Sequence, residues 1–181
     1  VRTYGGLNLS PTVLETPGFP GSIQTQAVPM GGEIMGAGAG DRFSLAIEAQ
    51  ADPKSGYLDR IQVVKGWIDA TGETRERVYD AAWSGDDRLQ PDGSLAAVGS
   101  SVDLKTGLTA NTIGSPRLTA VWQDPEFDPA QSAFYYVRVL QIPTARHSLL
   151  DKLALGDEDI DTRRPDTIQE RAYTSPIWYR P

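Results

Sequence analysis

Apolar and polar residues alternate along several stretches of this chain, in the pattern of half-buried β-strands. The clearest case is 42–50, where Phe43, Leu45 and Ile47 alternate with mostly polar neighbours. Further strands are predicted at 1–7, 22–28, 58–68, 76–83, 95–104, 117–123, 134–142 and 175–179. Turn residues separate these segments at intervals of roughly 8–12 residues, the spacing typical of a β-sandwich.

This pattern predicts an all-β protein, an antiparallel β-sandwich of immunoglobulin or fibronectin type III style with long loops. A strand with one apolar face must bury that face against another layer. No long helical pattern supplies such a layer, so we expect a second sheet. Short helices are predicted at 149–155 and, as a helix or turn, at 166–172. The chain divides into a Gly/Pro-rich lead-in with one or two strands (1–40) and the sandwich with a loop-rich C-terminal tail (41–181).

Composition narrows the class further. The chain has 181 residues, enough to bury a stable core without cross-links or a structural metal. Its lack of cysteine excludes disulfides and cysteine-based zinc sites. The formal net charge of −7 disfavours nucleic acids and anionic membranes, since both require a basic surface. No apolar run reaches the ~18–20 residues of a membrane-spanning helix. We therefore expect no nucleic-acid partner, no membrane span and no cofactor in this chain.

The chain begins at Val1 in a strand-like segment and shows no signal peptide. We interpret it as the C-terminal part of a longer protein. The compartment stays open, because a signal for a periplasmic or secreted location would lie upstream of Val1.

A set of motifs runs in order from residue 27 to residue 179. They read AVPMGGE at 27–33, LDRIQVVKGW at 58–67, VYDAAWS at 78–84, VDL at 102–104, VWQDPEFDP at 121–129, and two C-terminal runs at 133–144 and 168–179. In these motifs the chain resembles the C-terminal portion of the bacterial domain-of-unknown-function 3604 family. The family's long loop commonly reads Pro-Arg-Trp where this chain has Ala145, Arg146 and His147.

The resemblance implies an upstream metal-dependent hydrolase of the polymerase-and-histidinol-phosphatase (PHP) type. Its His and Asp metal ligands would lie upstream of Val1, since this chain has one histidine, His147. The chain itself is then expected to be a noncatalytic accessory domain that packs on the catalytic domain and shapes its active-site rim. Two alternatives stay open: a free carbohydrate- or protein-binding β-sandwich module, and an enzyme in its own right.

Four residues of the C-terminal tail are candidates for contacts with a substrate or a neighbouring domain: Arg146, His147, Glu170 and Arg171. Arginine suits an anionic ligand because its planar guanidinium grips phosphate or carboxylate with two hydrogen bonds. The plainer interpretations are a structural Arg146 paired with the acidic run at 157–159, a solvated His147, and a local cap and ion pair at Glu170 and Arg171. No catalytic residue and no metal ligand is expected.

Other acidic and aromatic residues are expected to be structural or solvated. Asp86, Asp87 and Asp92 lack the spacing of a calcium loop. Asp124, Glu126 and Asp128 alternate with Pro125, Phe127 and Pro129. The prolines predict a stiff loop of solvated carboxylates. The four tryptophans are predicted to pack in the core or at sheet edges rather than to build a carbohydrate platform.

An apolar patch for a partner domain or a second copy of the chain is predicted outside the clear strands. Monomers seldom expose more than a few hundred Å² of contiguous apolar surface. The candidate members are Leu7, Leu9, Phe19, Met30, Leu149, Leu150, Leu153 and Leu155.

Overall fold

The computed structural model describes residues 1–156 and 163–181. Two β-sheets pack face to face, which confirms the all-β sandwich. The strands are β1 (Arg2–Leu7), β2 (Val28–Pro29), β3 (Glu33–Met35), β4 (Phe43–Gln50), β5 (Leu58–Ile68), β6 (Thr74–Trp83), β7 (Arg117–Gln123), β8 (Ala133–Gln141), β9 (Thr144–Ala145), β10 (Thr167–Ile168), β11 (Arg171–Tyr173) and β12 (Ile177–Arg180). One α-helix, α1 (His147–Leu155), and 3-10 helices at Val13–Glu15, Ser22–Thr25 and Asp86–Arg88 are the helical elements of the described residues.

The smaller sheet has the order β2-β1-β4-β7 and is antiparallel throughout. The larger sheet has the order β3-β12-β8-β5-β6, and β11 also pairs with β8. Its strands are antiparallel except for β3 and β12, which run parallel. β9 and β10 form a separate two-stranded ladder. The lead-in 1–40 therefore supplies strands to both large sheets.

The core lies between the two sheets and follows from the alternation of each strand. Phe43, Leu45 and Ile47 of the smaller sheet meet Tyr135 and Val137 of the larger one, and all five are at most 1% exposed. The rings of Phe43 and Tyr135 stack with centroids 3.8 Å apart. Period-2 alternation sends successive side chains to opposite faces, so these positions share one interior.

The other face of the smaller sheet is also covered. Leu9, Val13 and Ile23 from the lead-in form a second apolar cluster against Ala46 of β4. This cover explains why β4 is buried at consecutive positions instead of alternating.

Three predicted elements are wrong in type. Residues 22–28 form a 3-10 helix followed by β2, because Ile23 packs into the second cluster. Residues 95–104 form no strand; isolated bridges at Leu95 and Val102 replace a ladder. Residues 166–172 hold β10 and part of β11, since ladders with β9 and β8 satisfy their backbone groups.

The end of the chain forms an interrupted strand. β11 and β12 lie along the same edge of β8, pairing with residues 138–140 and 133–135 respectively. Between them Thr174 continues the ladder, its N–H donating to the Val137 carbonyl at 3.0 Å and its hydroxyl accepting from the Val137 N–H at 2.9 Å.

Within the described residues, no helix combines the length and apolar character needed to cross a bilayer.

Candidate functional site

The face of the larger sheet that points away from the core, here called the outer face, carries a line of aromatic rings. Trp178 of β12, Phe134 and Tyr136 of β8, and Tyr173 of β11 follow one another with centroid separations of 5.4, 6.5 and 6.3 Å. Trp178 and Tyr173 are 46% and 57% exposed. These four side chains are called the aromatic row.

One end of the aromatic row borders an open groove of about 980 Å³. Gly66 of β5 lies directly opposite Phe134 in the ladder, and a Cβ at Gly66 would come within 2.2 Å of the Phe134 Cζ. The Phe134 ring therefore leans across β5 into space that any other residue would fill. The groove walls come from the β5–β6 hairpin, the segment at 128–133 and the end of β12.

The polar end of the outer face is organised by the buried Asp59. Its carboxylate lies 2.7 Å from an Arg88 guanidinium nitrogen and 3.0 Å from Arg60 Nε, and accepts a 2.7 Å hydrogen bond from the Gln169 amide. Arg88 also donates to the carbonyl oxygens of Ser84 and Ala96. The network fixes the 84–96 loop and Gln169 to β5, since a buried carboxylate requires partners.

Gln169 is part of a second, shallower cavity of about 530 Å³, called the loop cavity. Its lining residues are Arg146, Thr167, Ile168, Gln169, Glu170, Arg171 and Tyr173. Pairing of β9 with β10 places Ala145 opposite Thr167 and so brings the 145–147 and 167–171 segments together. Three of the four residues predicted from the sequence thus meet at one cavity.

The four predicted residues differ in exposure and in their hydrogen-bond partners. Arg146 is half-buried, and its Nε donates to the Pro165 carbonyl at 3.0 Å, while the acidic run 157–159 lies outside the described residues. His147 is exposed and is the first residue of α1. Glu170 and Arg171 are exposed, and neither forms an ion pair with another described residue. Arg146, Glu170 and Arg171 thus leave charged groups beside the loop cavity.

An exposed apolar surface begins one helical turn after Arg146. Leu150, Leu153 and Leu155 of α1 are exposed, Leu155 by 72%. The turn at 103–108 packs beside them: a Cβ on Gly107 would come within 2.5 Å of Leu150 and 3.5 Å of Leu153. The same turn carries the exposed Leu104 and Leu108. We call these five leucines the leucine patch.

The other members of the predicted apolar patch lie elsewhere. Leu9 and Leu149 are buried within the chain, and Leu7, Phe19 and Met30 are half-buried. Of the eight predicted members, the three exposed ones, Leu150, Leu153 and Leu155, all lie on α1.

The sandwich interior holds a charged network that the sequence prediction missed. The Lys65 ammonium lies 2.6 Å from the Asp124 carboxylate and donates to the Glu126 carbonyl at 2.9 Å. The Tyr135 hydroxyl donates to the same Asp124 oxygen at 2.7 Å. Burial raises the pKa of the Tyr135 phenol, and the Asp124 charge raises it further.

The prediction of solvated acids at 124–128 is therefore wrong for Asp124, whose side chain is fully buried. A signal was available, because alternation in β5 places Lys65 on the inward face with Val63. An inward lysine requires a buried partner. Glu126 and Asp128 do lie exposed, as predicted.

A comparison with protein families identifies the family of this chain. The family model described as "Protein of unknown function (DUF3604)" matches residues 1–181. The chain belongs to the DUF3604 family. Comparisons with curated proteins and with solved structures gave no match.

Membership confirms the family predicted from the motifs. The upstream PHP-type domain and the C-terminal position within a longer protein stay predictions. In the described part of this DUF3604 chain, no group of three or more His, Cys, Asp or Glu side chains is arranged to hold a metal ion.

The tryptophans of this DUF3604 chain divide into two kinds. Trp122 packs between the sheets, with its ring 5.1 Å from Tyr79 and 6.1 Å from Tyr135. Trp67 and Trp83 are half-buried in strands, as predicted for core or sheet-edge packing. Trp178 is different, because one of its neighbours is Phe134 and nearly half of it faces solvent.

Proposed function

We propose that this chain is a noncatalytic accessory region of a metal-dependent hydrolase and that it packs against the catalytic domain of the same protein. The observation that carries the proposal is the leucine patch. Its five side chains are between 37% and 72% exposed, and they come from two adjacent segments, α1 and the 103–108 turn. Exposed apolar patches of this kind mark interaction surfaces.

The surroundings of the patch support a specific interface. Arg146 precedes α1 directly, and Glu170 and Arg171 share the loop cavity with it. An apolar centre bordered by charged groups is the usual composition of a protein–protein interface. In this arrangement the leucines bury apolar area, and the loop cavity faces the edge of the catalytic domain. The hydrolytic activity of that domain is what the family resemblance implies.

The decisive experiment uses the full-length protein that contains this chain. We expect Leu153→Asp and Leu155→Asp to detach the accessory region, so that one thermal unfolding transition becomes two. Both leucines are exposed, so the sandwich itself should keep its stability. Met35→Asp is the matched control, because Met35 is 66% exposed and lies on β3, outside the patch.

Two results would contradict the proposal in different ways. Unchanged unfolding of both leucine variants would exclude the leucine patch as the docking surface. Manganese-dependent hydrolysis of bis(p-nitrophenyl) phosphate by the purified 181-residue chain would show that the chain is itself catalytic.

A further inference from the structure

We propose that the groove beside Trp178 and Phe134 binds a neutral oligosaccharide. This inference is independent of the accessory role, because the groove lies on the outer face and not at the leucine patch. It assigns a ligand class to a surface where the exposed Trp178 ring and its neighbour Phe134 border a large open groove.

The aromatic floor supplies the first requirement for sugar binding. A pyranose ring has a face made of C–H groups, and this face packs against the electron-rich face of an aromatic ring. Trp178 is 46% exposed, and Phe134 next to it leans over Gly66 instead of standing clear of the sheet. Both rings therefore offer surface to a ligand that lies along the sheet.

The groove walls supply the second requirement, hydrogen-bonding groups of both kinds. Sugar hydroxyls donate and accept at once, so they need mixed side-chain partners. The polar side chains that line the groove include Asp69, Arg75, Glu76, Asp128, Gln131 and Arg180. Glu76 is exposed and forms no ion pair with another described residue, so its carboxylate can accept from a ligand.

The charges in the groove favour a neutral ligand over a phosphate. Arg75 is already paired with Asp69 at 2.7 Å, and Arg180 is paired with Glu33. Asp128 and Glu76 add negative charge to the same walls. An anion would therefore meet two arginines whose charges are already compensated, together with two further carboxylates.

The backbone under the rings favours a sugar over an extended peptide. Peptides that add to a sheet use free backbone groups at a strand edge. β5, β8 and β12 each have a hydrogen-bonded neighbour on both sides. Recognition at this floor must therefore come from side chains, which suits a ligand bound by ring stacking and hydroxyl contacts.

The length of the aromatic row favours several sugar units over one. Tyr136 and Tyr173 continue the line from Phe134 in steps of 6.5 and 6.3 Å. The groove volume of about 980 Å³ also lies near the upper end of the ~300–1,000 Å³ range of small-molecule sites. A chain of sugars can stack on Trp178 and Phe134 and extend toward Tyr173.

The test is affinity electrophoresis of the 181-residue chain in gels that contain soluble β-glucan, arabinoxylan, galactomannan or, as an anionic comparator, polygalacturonate. A hexasaccharide of the retaining polymer is then titrated by calorimetry. We expect retention by at least one neutral polymer and binding at least tenfold weaker for Trp178→Ala. Trp178→Phe keeps an aromatic face and should bind within about threefold of the unchanged chain.

Controls separate this site from folding and from the leucine patch. Leu155→Ala should bind like the unchanged chain, and far-UV circular dichroism should show that Trp178→Ala is folded. Retention by none of the neutral polymers overturns the proposal. So does equal binding by Trp178→Ala, or binding only to polygalacturonate or to a proline-rich peptide tested in parallel.

Discussion

Removing the charge of Lys65 tests the buried network of the sandwich. Lys65→Met keeps a long unbranched side chain and deletes the ammonium that lies 2.6 Å from the fully buried Asp124 carboxylate. A buried charge that loses its partner destabilises a protein by about 3–5 kcal/mol. For a chain of this size such a loss lowers Tm by roughly 6–20 °C.

The assay is urea unfolding followed by tryptophan fluorescence, with thermal unfolding by circular dichroism as a second probe. The matched control is Arg77→Met, which removes a cation from the nearby ion pair with Glu126. That pair is about half exposed, so its loss should cost ~0–1 kcal/mol. The difference between the two variants isolates burial as the cause.

A double-mutant cycle makes the test stricter. Asp124→Asn removes the negative charge and leaves an amide oxygen to accept from Tyr135. We expect the double variant with Lys65→Met to lose about 1–3 kcal/mol less than the sum of the two single losses, because neither charge is then left alone. The reasoning is refuted if Lys65→Met costs no more than Arg77→Met, or if the two single losses simply add.

Two further predictions concern close packing and titration. Gly66→Ala should destabilise the chain by about 1–3 kcal/mol, because the added Cβ would meet the Phe134 ring at 2.2 Å. The control is Gly38→Ala, whose added Cβ has its nearest neighbour at 3.6 Å and should change the unfolding free energy little. Equal effects of the two substitutions would contradict the packing account. Burial, reinforced by two nearby carboxylates, raises the pKa of Tyr79 to about 12, so the protonated form is favoured in the folded state and stability should fall as pH rises from about 10 to 12. Tyrosinate absorbance of the unchanged chain minus that of Tyr79→Phe measures this pKa, and a midpoint near 10 would contradict it.

The long, strongly periodic strands were predictable from the sequence, and short or unpaired segments were not. β5 and β7 have the predicted bounds. In β5 the run of β-branched residues predicts a strand, although its pairing with β6 and β8 shifts register at irregularities near Ile61 and Leu58. The segment 95–104 has a similar local pattern but no neighbouring strand, so it forms bridges instead of a ladder. Pattern alone does not reveal whether a partner strand is available.

The sequence predicted the residues of the candidate site but not that they meet at one cavity. The sequence identifies two separate pairs, Arg146 with His147 and Glu170 with Arg171. The two-residue ladder between β9 and β10 brings all of them except His147 to one cavity. Two residues carry no period, so such a ladder cannot be predicted from alternation. The aromatic row depends likewise on β11 and β12 lying along one strand, which joins Tyr173 and Trp178 to the β8 rings.

The place of β12 in the larger sheet also sets the order in which the protein can fold during synthesis. β12 lies between β3 and β8, and it is the strand to which β3 is hydrogen-bonded in the described residues. Domains begin to fold while the chain emerges from the ribosome. The smaller sheet and the β5–β6–β8 ladder can assemble early, but β3 waits for residues 177–180. Until then Ile177 and Tyr179 are missing from the core, and the edge of β8 at residues 133–135 is open to pairing with other nascent chains.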